Sequence, residues 1–468
     1  MDRDALVYED LLIITASLTL SSGSYSIPGA NVLDLEVRLK PWGFEGSMAF
    51  LVMAYPSSDG LLSSFQTSTT LPITLSVQTG NEGTNQSSCQ PLNLSGMVCE
   101  RQFIEIAGNQ QASHATVNEN PVLYRRYFVR FVDNAAFYWS QHYVQALYAN
   151  STYQTVINAQ KPSTVTLTMN WTLLTTTQLQ ILVNTGASES RKPTASFYDW
   201  LMWLTDTNNG YWSYNYSNGQ YTLASTLPTA ASTVDLSTLI LSNIIIKPAQ
   251  PSLSTLTIYN AVATSSSTKT VTNSNAVTPL VYDYTTIQPI ASNFTNYSTL
   301  QTNRFQGTPQ KVSWDYLTTP TTMPVPWTTV QFPTNSNNLS SASALANNTY
   351  LITEVDFSCR QIINGPETDN YGASSAGYRV SMRVGARASS STVSMLPDYR
   401  MPTYPLQVQG TVVSSQGSSP NLTYSYATPS GSTVNYYTVQ IPVWNNTQVQ
   451  VPYMPVNMNG QFYFPPYR

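Results

Sequence analysis

The fold is decided by the stretch Pro402-Thr-Tyr-Pro-Leu-Gln-Val-Gln-Gly-Thr-Val-Val413 and by three later apolar runs, Tyr437-Thr-Val-Gln-Ile-Pro-Val-Trp444, Val449-Gln-Val-Pro-Tyr-Met-Pro455 and Gly460-Gln-Phe-Tyr-Phe-Pro-Pro-Tyr467. Alternate residues are apolar in parts of these runs, and Gly, Pro and Asn separate the runs. Such alternation is typical of short half-buried strands, and the separating residues are typical of turns. The pattern predicts the beginning of a small Greek-key barrel of the oligonucleotide/oligosaccharide-binding (OB) type over residues 401–468.

Working outward from this region, the rest of the chain also consists largely of predicted strands. In Val32–Leu39 the residues Asp34, Glu36 and Arg38 share one face with Val32, and the alternate residues are apolar. Other strands are predicted at Leu11–Leu20, Phe44–Ala54, Leu71–Val77, Tyr124–Val132, Thr164–Met169, Leu351–Cys359 and Tyr378–Gly385. No regular alternation of strand and helix occurs, so the chain is predicted to be mainly β with antiparallel sheets.

Helices are predicted in the middle of the chain. Asp133 can act as the N-cap of a helix that begins within residues 133–142 and would place Phe137, Gln141 and Val144 on one face. A short helix is predicted within residues 150–161.

The clearest helix signal is at residues 196–207. Ser196 and Asp199 have the spacing of a capping box, and Phe197, Leu201 and Leu204 form an apolar stripe with Tyr198 on another face. The pair Asn218-Gly219 then predicts a type I′ turn in a β-hairpin of Tyr211–Tyr216 and Gln220–Ala224.

Charged residues are scarce. They make up 9% of the 468 residues, against about 25% in ordinary soluble domains, and the formal net charge is −4. Three explanations are open: an extracellular surface protein, an exterior covered by partner subunits, or a sequence in which exposed charged side chains were recorded as shorter polar ones. With no basic run, no nucleic-acid partner is predicted. The longest apolar stretches, Leu11–Leu20 and Leu236–Ile246, are far shorter than a membrane span, so no stable membrane insertion is predicted.

Motifs for catalysis are absent from the sequence. It has no phosphate-binding loop, no Gly-x-Ser-x-Gly elbow and no His-Glu-x-x-His motif, and the histidines, His114 and His142, are far apart. Glu354 and Asp356 share a strand face, where a solvated edge or ion pairing is the simpler interpretation than glycoside hydrolysis. With three cysteines and no signal peptide, reduced thiols and a cytoplasmic origin are expected. No enzyme activity, metal or cofactor is predicted.

Three segments resemble VgrG-like spike proteins of contractile injection systems, and they occur in the same order. Residues Tyr127–His142 resemble the closing segment of the first hub domain. Residues Ala195–Leu223 are similar to the helix and hairpin of the second hub part, and Pro402–Tyr467 is similar to the connecting barrel. The resemblance rests on the order of the three segments and on their amino-acid sequences, since no segment carries a catalytic signature.

The resemblance implies a structural protein in a type VI secretion or phage-tail-like particle. It implies a homotrimer that adapts a hexameric tube above to a needle or tip protein below, contacts baseplate subunits and transmits force. It further implies assembly in the cytoplasm and delivery outside the cell, or into a target, on contraction. A β-rich extracellular or virion adhesion protein is the alternative, and a β-rich hydrolase is a third class.

The implied organisation has four parts: a first hub β-barrel (1–165), a helix–hairpin α+β part (166–235), a second hub β-barrel with long loops (236–400) and the beginning of the OB-type barrel (401–468). An OB-type barrel needs a further strand after the aromatic run Phe462, Tyr463 and Phe464. These three residues are therefore the predicted contact with another subunit or with the needle.

Overall fold

The structure is a computed structural model that describes residues 6–55, 59–80, 89–104, 116–117, 120–121, 123–184, 194–228, 239–246, 255–260, 268–272, 280–286, 291–306, 310–332, 348–362, 371–403, 408–413 and 436–452. The predicted contact residues Phe462, Tyr463 and Phe464, and also His114, lie outside these ranges.

Strands dominate the described residues, which confirms the predicted mainly β class. In chain order they are β1 (Tyr8–Leu20), β2 (Gly23–Pro28), β3 (Val32–Lys40), β4 (Gly43–Tyr55), β5 (Pro72–Thr79), β6 (Leu92–Phe103), β7 (Thr116–Val117), β8 (Asn120–Pro121), β9 (Leu123–Asp133), β10 (Gln145–Thr152), β11 (Leu167–Asn170), β12 (Thr177–Asn184), β13 (Tyr211–Asn215), β14 (Gln220–Ala224), β15 (Leu239–Ile246), β16 (Thr255–Asn260), β17 (Thr268–Thr272), β18 (Val281–Thr286), β19 (Gln310–Tyr316), β20 (Thr329–Gln331), β21 (Thr349–Gln361), β22 (Ser375–Ala388), β23 (Thr411–Val412), β24 (Tyr436–Ile441) and β25 (Thr447–Pro452).

The α-helices are fewer and mostly short. They are α1 (Leu62–Thr67), α2 (Asn134–Trp139), α3 (Tyr153–Ala159), α4 (Thr172–Thr175), α5 (Phe197–Thr207) and α6 (Ala291–Gln306). The described residues also include the 3₁₀ turns Gly29–Asn31 and Pro442–Trp444.

The largest sheet contains a closed ring of eight strands. Strand β22 pairs with β1, and the pairing continues through β5, β6, β9, β4, β3 and β21, which pairs with β22 again. Every one of these pairs is antiparallel. Closure of the ring removes free strand edges, as in the antiparallel β-barrels that the resemblance implied.

The hairpin of β21 and β22 extends past the strands of the ring. Beyond the ring, β22 pairs with β19 through residues 383–387, and β21 pairs with β20 through Leu351, Tyr350 and Thr349. Strand β15 then pairs with β19. Strands from the predicted ranges 1–165 and 236–400 therefore share one sheet, while the four-part domain division stays a prediction.

The inner face of the ring is filled by apolar side chains. Leu12, Ile14 and Leu18 of β1 are fully buried, as are Phe50 and Tyr127, whose rings stack with centroids 5.4 Å apart. A barrel of eight strands has an interior just wide enough for side chains to fill. The eight-stranded ring therefore encloses its own packed hydrophobic core.

Gly46 shows how closely this interior is packed. A Cβ atom at this position would lie 2.5 Å from the ring of Phe131 and 2.7 Å from the carbonyl oxygen of Glu36. Only glycine leaves room for Phe131 between β4 and β9.

Strand β3 confirms the predicted alternation with one correction. Leu35, Val37 and Leu39 are buried and Glu36 and Arg38 are exposed, but Val32 is buried as well. A bulge between Val32 and Asp34 changes the register with β4, so Val32 points to the opposite side from Asp34.

The predicted helix at 133–142 is shorter than expected. Asp133 does cap it, because its Oδ1 accepts a hydrogen bond from the backbone N–H of Ala136 at 3.0 Å, but the helix ends at Trp139. Gln141 and Val144 therefore lie outside the helix, and Ala135 and Trp139 are its fully buried residues.

The capping box of α5 is confirmed. Ser196 Oγ accepts a hydrogen bond from the backbone N–H of Asp199 at 3.2 Å, and Asp199 Oδ2 accepts one from the backbone N–H of Ser196 at 2.7 Å. The predicted stripe of Phe197, Leu201 and Leu204 is buried, and so is Tyr198, at 9% exposure.

The hairpin after α5 forms with the predicted strands and a different turn. Asn215 pairs with Gln220, so four residues form the loop, and Gly219 alone among them has a positive φ, of 70°. A type I′ turn would need two consecutive residues with positive φ. The side chains of Asn215 and Asn218 hold the longer loop by accepting hydrogen bonds from the backbone N–H groups of Ser217 and Gln220 at 2.9 and 3.0 Å.

The chain divides into two compact units. The first comprises residues 1–137, 164–168 and 205–397 and contains the ring. The second comprises residues 138–163, 169–204 and 398–468. In the second unit β10 pairs with β12, and β23, β24 and β25 form a three-stranded antiparallel sheet. These three strands lie in the range of the predicted OB-type barrel, which stays a prediction.

Candidate functional site

The outer face of the ring carries the feature best suited to a functional contact. It consists of ten charged residues, five acidic and five arginine, of which Asp34 and Asp356 are half-buried and the others exposed. We call them the charged belt: Glu9, Asp34, Arg38, Glu45, Glu100, Arg126, Arg130, Asp356, Arg360 and Arg379. The whole chain has only 44 charged residues, 20 basic and 24 acidic. The belt concentrates nearly a quarter of them on one curved sheet.

Strand register places opposite charges face to face. Arg38 of β3 lies opposite Asp356 of β21 on one side and Glu45 of β4 on the other, with ion-pair distances of 3.7 and 3.9 Å. Asp34 lies opposite Arg360, at 3.5 Å. Directly opposed side chains on neighbouring strands are those that interact most, so these pairs fit the observed register.

Directly opposed charges also occur on the ring strands to either side of these pairs. Glu9 of β1 is opposite Arg379 of β22, at 3.5 Å, and Glu100 of β6 is opposite Arg130 of β9, at 3.2 Å. Arg126 reaches Asp34 at 3.3 Å. The charges therefore run across seven neighbouring strands of the ring.

A depression of about 740 Å³ lies within this belt. Asp34, Glu36, Arg126, Arg360 and Arg379 line it, together with small side chains that include Ser47, Ser358 and Ser381. Glu36 is opposite Ser47 and Ser358 in the register. The depression thus presents guanidinium and carboxylate groups side by side, which suits a partner surface with charges of both signs.

The belt contributes little to the stability of the fold. Arg38, Arg360 and Arg379 have side chains 64%, 67% and 64% exposed. Exposed ion pairs of this kind stabilise a protein by about 0–1 kcal/mol each. Charge complementarity at a surface affects the specificity of association more than stability, so the belt is a candidate interface.

Glu354 and Asp356, the paired acids that the sequence singled out, are ion-paired. Lys40 pairs with Glu354, and Arg38 pairs with Asp356 at 3.7 Å. A bulge between Ile352 and Glu354 also interrupts the register of β21 with β22. The arrangement matches the simpler interpretation of these two residues.

His142 is held in a structural network. Its Nε2 lies 2.8 Å from Oε1 of Gln160, and Gln160 Nε2 donates to the hydroxyl of Tyr148 at 2.9 Å. Its carbonyl oxygen accepts a hydrogen bond from the backbone N–H of Phe197 at 2.8 Å. These contacts join α5 to the segment before β10, which is a packing role.

The three cysteines are free thiols. Burial raises the pKa of the Cys359 and Cys99 thiols, which disfavours the reactive thiolate form of both. Within the described ranges, no group of three or more His, Cys, Asp or Glu side chains is arranged to bind a metal ion. None of the helices in those ranges has the length and apolar character needed to span a bilayer.

Sequence reasoning placed Asp34, Glu36 and Arg38 on one face and did not identify the belt. Its residues come from strands as far apart as Glu9 and Arg379. The available signal was charge at every second position of several strands in a charge-poor chain, for example at Asp34, Glu36 and Arg38. Which strands are neighbours is the information that the sequence pattern lacked.

Comparison with known proteins gives similarity in fold alone. No protein-family model and no curated protein matches the chain. The chain is similar to a chain of the lidded PdpA–VgrG complex of Francisella, with a TM-score of 0.68 and 11% identity, covering 99% of this chain and 69% of that chain. A chain of the lidless PdpA–VgrG complex matches with a TM-score of 0.63 and 11% identity, covering 98% and 84% of the two chains. The fold is therefore that of chains found in PdpA–VgrG complexes.

Proposed function

We propose that this chain is a structural component of the spike of a contractile injection system. The observation that carries the proposal is the fold match over 99% of the chain to a chain of a PdpA–VgrG complex. Three segments resemble VgrG-like spike proteins in the same order. This resemblance supports the proposal independently, because it rests on the sequence alone.

The proposed role is that of a hub. Three copies form a homotrimer that accepts a hexameric tube on one side and a needle or tip protein on the other, within a surrounding baseplate. The closed ring suits this role, because every ring strand is hydrogen-bonded to a neighbour on both sides. The ring therefore has no edge strand that could separate from the sheet. The particle is assembled in the cytoplasm, and contraction delivers it outward or into a target.

The charged belt has a place in this proposal as a face for a neighbouring subunit. Its alternating signs select a partner whose charges have the complementary order and disfavour other surfaces. Phe462, Tyr463 and Phe464 keep their proposed role in the contact with another subunit or with the needle.

Native mass spectrometry tests the assembly. At micromolar concentration we expect a species of three times the chain mass of 51.6 kDa, with subunit interfaces above about 2,000 Å² each, as in obligate assemblies. A monomer would contradict the hub and favour the adhesion protein. Binding of an oligosaccharide followed by its hydrolysis would favour the hydrolase.

A charge reversal tests the belt itself. Arg38→Glu places three carboxylates together with Glu45 and Asp356, whereas the matched control Arg38→Gln removes the charge without adding repulsion. We expect Arg38→Glu to weaken subunit association at least tenfold in analytical ultracentrifugation, and Arg38→Gln to weaken it less. Equal trimer stability in both variants and in the wild-type protein would exclude the belt from the interface.

A further inference from the structure

Glu36 differs from the residues of the charged belt that surround it. It is exposed, and no arginine or lysine in the described ranges forms an ion pair with it. The strand register places Ser47 on one side of it and Ser358 on the other. The register that opposes charges elsewhere in the belt therefore leaves this carboxylate without a counter-charge.

The surroundings of Glu36 leave room for a side chain from another molecule. Glu36 lines the depression of about 740 Å³ and also a neighbouring one of about 220 Å³. Arg126 and Arg360, which line the larger depression, are both paired with Asp34, at 3.3 and 3.5 Å. The small serine side chains beside Glu36 add hydroxyl groups that can accept hydrogen bonds. A basic side chain, which carries donors alone, matches this arrangement.

Lys311 is a cation with the corresponding lack of a partner. It is exposed and forms no ion pair within the part of the chain that the structure describes. Its opposed residues in the register are Ile245 of β15 and Arg387 of β22, so no carboxylate lies opposite it. Arg387 is six residues from Ser381 along β22, an even spacing that places both on the outer face of the sheet, and Lys311 lies on that face as well.

Glu36 and Lys311 cannot form an ion pair within one chain. Glu36 lies at the level of Ser358 and Ser381 in the register, whereas Lys311 lies at the level of Arg387. Six residues along β22 cover about 20 Å, which is too far for the two side chains to bridge. The two groups are therefore complementary only between copies. In a cyclic trimer each interface joins two different patches of neighbouring subunits, as this pairing requires.

We propose that Glu36 of one subunit forms an ion pair with Lys311 of the partner subunit. This inference rests on the proposed trimeric hub and specifies one contact of the charged belt within it. The ion pair fixes which part of a neighbouring copy lies against the belt, because opposed charges at an interface set the orientation of the partners.

A charge exchange tests the contact. Glu36→Lys and Lys311→Glu each oppose like charges, so each variant should weaken subunit association about tenfold in sedimentation velocity. The double variant Glu36→Lys/Lys311→Glu restores opposite charges and should return the association to within about threefold of the wild-type value. The matched control Glu36→Lys/Lys161→Glu has the same net charge without the contact and should stay weak. Circular dichroism checks that each variant is folded.

The outcomes separate this contact from the hub itself. A monomeric wild-type protein would contradict the hub and the contact together. A wild-type trimer with unchanged association in Glu36→Lys would overturn the contact alone. Tighter association of Glu36→Lys would also overturn it and would assign the depression to an acidic group. Equal rescue by Lys161→Glu and Lys311→Glu would reduce the result to an effect of net charge and overturn the pairing.

Carbodiimide crosslinking of the wild-type protein is an independent test, because the reagent joins a carboxylate to an amine in contact with it. We expect a crosslink between peptides that contain Glu36 and Lys311. In trimers assembled from equal amounts of ¹⁵N-labelled and unlabelled chains, about half of these products should join a labelled to an unlabelled peptide. Absence of this crosslink, or crosslinks of a single isotopic composition alone, would overturn the proposal.

Discussion

At the scale of a single residue, Asp133 combines capping with burial. It is 3% exposed, and its Oδ1 accepts hydrogen bonds from the N–H of Ala136 at 3.0 Å and from the hydroxyl of Tyr221 at 2.6 Å. Burial raises the pKa of this carboxyl to about 6, although both hydrogen bonds act in the opposite direction. The cap could be predicted from Asp133 in sequence, whereas the burial depends on Tyr221, 88 residues away.

The raised pKa of Asp133 predicts a pH dependence of stability. The folded protein holds the proton up to about pH 6, whereas the unfolded chain loses it near pH 4. The stabilising contribution is therefore full below pH 4 and is lost as the pH rises to 6, by roughly 3 kcal/mol for a pKa displaced by about two units. Denaturant unfolding of the wild-type protein and Asp133→Asn from pH 4 to 7 measures it as a change in their difference.

The exposed acid Glu45 is the control for this measurement. Its side chain is 53% exposed, so Glu45→Gln controls for the removal of a carboxylate at the surface instead of in the interior. A constant stability difference between the wild-type protein and Asp133→Asn over this range would show that Asp133 ionises normally.

At the scale of an element, α5 is more deeply buried than its amphipathic pattern indicated. Leu201 is fully buried, and Tyr198 and Met202, which lie off the predicted stripe, are buried too. Leu201→Ala should lower the free energy of unfolding by about 2–5 kcal/mol, because it removes buried methyl groups and leaves a cavity. Thermal and denaturant unfolding measure this loss. Tyr198 is no longer suitable as the tolerant control.

Thr207 is a suitable tolerant control for Leu201→Ala, because it is the exposed last residue of α5. Thr207→Ala should change the stability by less than about 0.5 kcal/mol, as surface substitutions do. Losses of equal size at Leu201 and Thr207 would mean that the packing of α5 differs from that described.

Elements with strong local signals were predictable, and their irregularities were not. The capping box of α5 needs only Ser196 and Asp199, and the strands β21 and β22 follow from alternating residues on both sides of a loop. The bulge that buries Val32 and the four-residue loop before Gln220 depend on neighbouring strands and on side-chain hydrogen bonds. The charged belt was partly predictable from the sequence for the same reason. The pattern of one strand shows which residues share a face, whereas only the assembled sheet brings Arg360 close to Asp34.

At the scale of the whole molecule, the ring joins parts of the chain that are more than 300 residues apart. Strand β22 pairs with β1 through Tyr8 and Val380, and β21 pairs with β3 through Cys359 and Leu35. No local pattern specifies such pairing, because alternation identifies strands without naming their partners. The separate barrels implied by the resemblance stay a prediction, and strands from the ranges 1–165 and 236–400 pair with each other in one ring.

The closed ring predicts that these distant segments unfold together. Val380 is fully buried and lies opposite both Tyr8 and Cys359, so Val380→Ala removes packing from the joint between β22, β1 and β21. We expect a destabilisation of roughly 1–3 kcal/mol. In hydrogen exchange the protection of amides in β1 and β3 should fall by the same factor as in β22, about tenfold for each 1.4 kcal/mol. Ser381→Ala, at the neighbouring outward position of β22, should leave all three strands protected. Loss of protection in β22 alone would show that β22 unfolds separately from β1 and β3 despite their shared sheet.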